Sequence, residues 1–158
     1  MTITGAVAVA WAWTAVAAAA QPGGPPRETS VVTVLGIRAT TEGKEHIDPP
    51  LVPIADELRR SKYNSFRVVA RDSRGIPLGE TAELPLVEEY ALRIQPEKAA
   101  EDNIQLTLSW VQYVKDSSGR RQASVLQRMT LVIRRGKYFL SGGWKLREGA
   151  LLGAVATQ

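Results

Sequence analysis

The sequence predicts an α+β fold: a mostly antiparallel, two-layer, sandwich-like β structure with one helix near the start of the mature chain. Three observations carry this. Apolar and polar residues alternate with period two through the second half of the chain, as half-buried strands require. One apolar stripe at i, i+3, i+4 and i+7 occurs, at Leu51, Ile54, Ala55 and Leu58. Tetrapeptides of the form D-S-x-G, with Asp and Gly where a type I turn accepts them, stand between alternating runs at Asp72–Gly75 and Asp116–Gly119.

Taken in order, Val31–Thr40 is β-branched and apolar and reads as a strand. Glu42–His46 is a polar loop. Asp48 is placed to N-cap the helix, with Pro49 and Pro50 in its opening turn and Arg59, Arg60 and Lys62 at its negative end. Phe66, Val68 and Ala70 then alternate with Arg67, Val69 and Arg71. Ile76–Leu78 and Thr81–Leu86 are short fragments interrupted by proline, suited to an edge. Tyr90–Gln95 is a strand, and Pro96–Asn103 an acidic loop. In Ile104–Tyr113, Ile104, Leu106, Leu108 and Trp110 share one face. Val125–Arg135 returns with Met129, Leu131 and Ile133 inward. Tyr138–Ser141 and Ala150–Ala156 then complete a four-strand antiparallel meander, with one wet and one buried face.

Three segments organise the chain: a signal segment at 1–20, a Pro/Gly linker at 21–30, and a single β-rich domain at 31–158. Gly5–Ala20 is uncharged and Ala-rich, shorter than a spanning helix needs, and ends in overlapping A-x-A choices before Gln21-Pro22-Gly23-Gly24-Pro25-Pro26. An opening Lys or Arg is absent from Met1-Thr2-Ile3-Thr4. The competing readings are an uncleaved anchor and a buried helix. Cleavage implies an exported protein, periplasmic, envelope-associated or secreted, with no integral membrane domain after the cut.

Composition excludes several chemistries. With no cysteine among 158 residues there is no disulfide framework, thiolate catalysis or cysteine-ligated metal. His46 is the only histidine and reads as a solvated loop residue, so no histidine triad is built without it. No phosphate-cradling glycine motif occurs, and no cofactor or metal is expected. Carboxylates cluster at Asp56-Glu57, Glu88-Glu89 and Glu97-Glu101-Asp102, and read as solvated surface. The net charge of +4 favours acidic partners. It is not clustered as nucleic-acid binders cluster theirs, so no nucleic acid is expected.

Arg120, Arg121, Arg128, Arg134, Arg135 and Lys137 fall on one predicted hairpin, with Arg128 and Arg134 on its polar face. The plainer reading, which the sequence favours, is an edge kept soluble by positive charge. The functional reading is a patch for an anionic glycan or an envelope protein, with Arg128, Arg134, Lys137 and Trp144 as candidate ligand-binding residues. Gly142-Gly143 beside Trp144 reads as a bulge, or as a gap next to an aromatic platform.

Ile47-Asp48-Pro49-x-Leu51, Tyr63-x-Ser65-Phe66-Arg67, Leu78-x-x-x-x-x-Leu84 and Arg135-Gly136 … Ser141-Gly142-Gly143 … Glu148-Gly149-Ala150-Leu151 together span most of residues 31–156. On these the chain resembles a group of small exported bacterial proteins of uncharacterised function. The resemblance implies export and a shared fold, and supplies no activity. The expectation is a non-catalytic binding or assembly module and not an enzyme. The alternative is a carboxylate-dependent hydrolase acting on envelope glycans.

Overall fold

The computed structural model describes residues 27–158. Residues 1–20, expected to be a signal segment, and residues 21–26 of the expected linker lie outside the described residues. The β-branched run expected from Val31 begins two residues earlier, as β1 (Thr29–Thr40). It becomes the centre of a five-stranded sheet. On one side it pairs antiparallel with β3 (Ser65–Pro77), and beyond that lies the short parallel β2 (His46–Ile47). On the other it pairs antiparallel with β9 (Ala150–Thr157), which pairs in turn with β8 (Tyr138–Lys145). The second sheet holds β4 (Ala82–Pro85), β5 (Tyr90–Ala99), β6 (Asn103–Lys115) and β7 (Arg121–Arg134), antiparallel and in chain order. The fold is α+β and sandwich-like, as the alternation predicts.

The β1 sequence explains why the five-stranded sheet is covered on both faces. Successive side chains point to opposite sides. Val32 and Val34 join Leu84, Leu92, Ile94, Leu106, Leu108, Trp110, Leu151 and Val155 between the sheets. Leu35, Ile37 and Ala39 join Leu51, Ile54, Leu58 and Phe66 on the far side, under the helix. Among the expected core residues, Leu106, Leu108 and Ile133 are buried, while Met129 and Leu131 are half-buried. Those two sit on β7 at the end of its sheet, where cover is incomplete.

Four expectations are corrected. First, Asp72–Gly75 is not a turn but the middle of β3. Pairing with β1 continues unbroken through it, with Val34 opposite Asp72 and Val31 opposite Gly75. Its turn-forming side chains are bound otherwise: Ser73 Oγ meets Thr33 Oγ1 at 3.0 Å and Asp72 takes Arg74 Nη2 at 2.6 Å. A local turn preference loses to a long ladder of cross-strand pairs. Asp116–Gly119 is the turn expected, joining β6 to β7. Asp116 Oδ1 accepts the N–H of Ser118 and of Arg120, each at 2.9 Å.

Second, the four-strand meander is two hairpins in different sheets. After the turn at Arg135-Gly136-Lys137 the chain crosses over, and β9 pairs with β1. The β9 sequence ALLGAVAT is apolar at both parities, which suits a central strand covered on both faces.

Third, Asp48 does not cap the helix with its side chain. Its Oδ2 accepts the Val68 N–H at 2.7 Å and its Oδ1 meets His46 Nε2 at 2.7 Å. Burial pushes the Asp48 carboxyl up, but these contacts outweigh it and hold the group below its ordinary value. With prolines at 49, 50 and 53, the segment Pro49–Ile54 is a 3-10 helix, and only Ala55–Arg59 (α1) is α-helical. The apolar stripe is nonetheless buried as expected: Leu51, Ile54, Ala55 and Leu58 all face the sheet. Fourth, His46 is not in a loop. It is half-buried in β2, opposite Ser65 of β3.

Candidate functional site

The outer face of the four-stranded sheet is uncovered, and cross-strand register builds a site on it. Antiparallel pairing sets Arg93 of β5 opposite Ser109 of β6, and Ser109 opposite Arg128 of β7. One step along, Gln95 stands opposite Thr107, and Thr107 opposite Thr130. Two long cationic side chains therefore flank a column of short hydroxyls. The result is a depression of about 40 Å³ lined by Thr81, Arg93, Gln95, Thr107, Ser109 and Arg128. No carboxylate lines it.

The depression is fixed by its neighbours. Arg128 Nε donates to Ser109 Oγ at 3.2 Å, and Thr107 Oγ1 meets Thr130 Oγ1 at 2.8 Å. Arg93 Nε donates to Glu83 Oε2 at 2.7 Å, and Tyr113 Oη donates to the other oxygen of the same carboxylate. Burial raises the Glu83 carboxyl, but Tyr113 and then Arg93 outweigh it, so it stays charged to lower pH than usual. The Arg121 guanidinium lies 3.9 Å over the Tyr113 ring. Glu97 accepts from Thr107 and from Gln105 Nε2, and both contacts lower its carboxyl.

Arg128, Arg134, Lys137 and Trp144 are not gathered into one site. Arg128 and Arg134 share the outer face of β7 but stand about 20 Å apart along it, at about 3.3 Å per residue. Lys137 is in the crossing turn, its N–H bonded to the Arg134 carbonyl. None of the three has an ion-pair partner among the described residues. Trp144 faces between the sheets, where its ring packs edge-on to Trp110 at 6.0 Å. Gly142-Gly143 is the bulge just before it. Gly142 adopts φ +113°, and a Cβ there would stand 2.8 Å from the Leu151 carbonyl, so the position needs glycine.

Arg93, Ser109 and Thr107 were missed as site residues because they become neighbours of Arg128 only through register. A partial signal was present in the chain: between Asp116 and Glu148 there are eight Lys or Arg and no Asp or Glu. That stretch forms β7 and β8, each the last strand on its side of a sheet.

The clustered carboxylates are placed elsewhere. Glu88 and Glu89 line an open groove of about 580 Å³ with Tyr113, Lys115, Arg121 and Arg147. Glu88 has φ +54°, the one described non-glycine residue in the left-handed region. Among the described residues no group of three or more His, Cys, Asp or Glu is placed to hold a metal. No described helix is long and apolar enough to cross a membrane. The chain matches no protein-family model, no curated protein and no solved structure.

Proposed function

We propose that the protein is an exported, non-catalytic binding module for an anionic glycan, engaged by the β7–β8 side of the sandwich. The observation that carries this is charge without counter-charge. Arg128, Arg134 and Lys137 occupy β7 and the turn after it, in a stretch with no acidic residue, and none of them has an ion-pair partner among the described residues. Beside them the outer face offers Ser, Thr and Gln, which hydrogen-bond sugar hydroxyls. Export rests on the uncharged Gly5–Ala20 run and the Pro/Gly break after it.

The test is retention on immobilised sulfated or carboxylated polysaccharide, on a neutral polysaccharide and on polyglutamate. The expected result is retention on the charged polysaccharides alone, eluted by salt and weakened in Arg128→Ala/Arg134→Ala. Equal retention on polyglutamate points to an acidic protein as partner and overturns the glycan reading.

One observation favours a second reading. The groove holding Glu88 and Glu89 is of ligand size, and Glu88 is held in a strained conformation. If it is the site of a carboxylate-dependent hydrolase, a panel of envelope glycans shows turnover that Glu88→Gln or Glu89→Gln abolishes.

A further inference from the structure

We propose that the depression between Arg93 and Arg128 is an oxyanion subsite, which takes one sulfate, phosphate or carboxylate group of the bound glycan. This rests on the reading of the protein as an anionic-glycan module and names the group recognised and the residues that recognise it.

Size is the first argument. About 40 Å³ admits a single charged group and not a sugar ring. The rest of the ligand must therefore lie over the face, with one substituent pointing in. Donor chemistry is the second. The lining supplies the N–H groups that Arg93 and Arg128 do not give to Glu83 and Ser109, the second amide hydrogen of Gln95, and the Thr81 and Ser109 hydroxyls; the single Thr107 hydroxyl proton is given to Glu97, which is not itself part of the lining.

The two arginines are not equivalent. Arg93 is held by Glu83, which is itself held by Tyr113, so its position is set and its charge largely balanced. Arg128 bonds only to the Ser109 hydroxyl and has no ion-pair partner among the described residues. An incoming oxyanion gains Arg128 as a fork of N–H donors without first breaking a salt bridge. Arg93 then presents its remaining N–H groups from the opposite wall. Ser109, 3% exposed, stands between the two arginines in the register, and its hydroxyl, which accepts from Arg128, keeps its own proton for the anion, so a donor meets the anion from below as well as from two sides.

The same residues explain why the subsite prefers an oxyanion to chloride. Donors arranged on three sides match an acceptor with several oxygens, and a spherical ion engages fewer of them.

The experiment is an amide-resolved NMR titration of the purified protein with inorganic sulfate, phosphate and acetate in separate arms, at ionic strength held constant with chloride. The expected result is saturable shifts confined to Thr81, Arg93, Gln95, Thr107, Ser109, Arg128 and their chain neighbours. The arm that saturates at the lowest concentration identifies the group the glycan carries. Arg128→Ala is expected to raise the half-saturating concentration about tenfold. Arg128→Lys, which keeps the charge and loses the fork, is expected to raise it less. Arg60→Ala, beside the helix, leaves it unchanged.

Shifts that spread over all exposed cations without saturating overturn the subsite, as does the absence of saturable shifts in every arm against the chloride background. If the protein is still retained on charged polysaccharide, the functional reading survives that outcome. Saturable, Arg128-dependent sulfate binding without polysaccharide retention removes the glycan reading and leaves the subsite.

Discussion

The two sheets of the sandwich use their outer faces differently. The five-stranded sheet buries its outer face under the helix, with Leu35, Ile37 and Phe66 against Leu51, Ile54 and Leu58. The four-stranded sheet leaves its own open, with Arg93, Thr107, Ser109, Arg128 and Thr130 beside Glu83 and the exposed Val125 and Val132. One face therefore serves stability and the other is free for a ligand. Changes on the first are expected to be felt in folding, and, on the binding role proposed above, changes on the second in ligand affinity.

The largest effect is expected on the covered face. Phe66 is 1% exposed, and Phe66→Ala should cost about 3–5 kcal/mol, read from chemical denaturation. A loss near that of a surface change would mean that the helix does not cover this sheet. Between the sheets, Leu108→Ala should cost about 2–5 kcal/mol by the same measurement. A loss below about half a kcal/mol would reverse the face assignment of β6.

Asp48 ties the helix segment to β3 and offers a smaller, pH-dependent break. Asp48→Ala should cost about 1–3 kcal/mol at neutral pH, because the Val68 N–H loses its acceptor. The Asp48 carboxyl is held below its ordinary value, as are those of Glu83, Glu97 and Asp116. A carboxyl depressed in the folded state contributes stability above its unfolded pKa of about 4 and loses it as pH falls through the folded value. Denaturation midpoints followed downward from about pH 5 should therefore fall, and less steeply in the Asp48 variant. Identical slopes would show that the Asp48 contacts do not persist in solution.

The smallest stability effect belongs to the open face. Arg128→Ala should change stability by no more than about 0.5 kcal/mol, since the side chain is exposed and makes one hydrogen bond. The same variant should bind an oxyanion less tightly. A large destabilisation would mean that Arg128 holds the sheet together, and the contrast between the faces would collapse.

Much of the fold was legible in the chain because it is local. Strict alternation in Ile104–Trp110 marks β6 and its buried face, and the spacing of Leu51, Ile54, Ala55 and Leu58 marks a buried stripe even where the backbone is 3-10. The candidate site was legible only in part. Arg128 stands out by charge and parity, but Arg93 is far from it in the chain and Ser109 has no distinguishing feature of its own.

The two D-S-x-G segments show where the boundary falls. At Asp116 the tetrapeptide turns, with Gly119 at φ +80° and the Asp carboxylate holding the following amides. At Asp72 the same pattern stays extended, because β1 offers it partners along its whole length. Residue order alone shows which side chains seek burial, which segments extend, where the cations concentrate, and that cysteine chemistry is absent. The pairing of β9 with β1, the straight passage of Asp72–Gly75, and the row of Arg93, Ser109 and Arg128 come from the folded assembly of strands. Periodicity and turn preference are properties of a few neighbouring residues, whereas strand partners and register are chosen by competition among surfaces far apart in the chain.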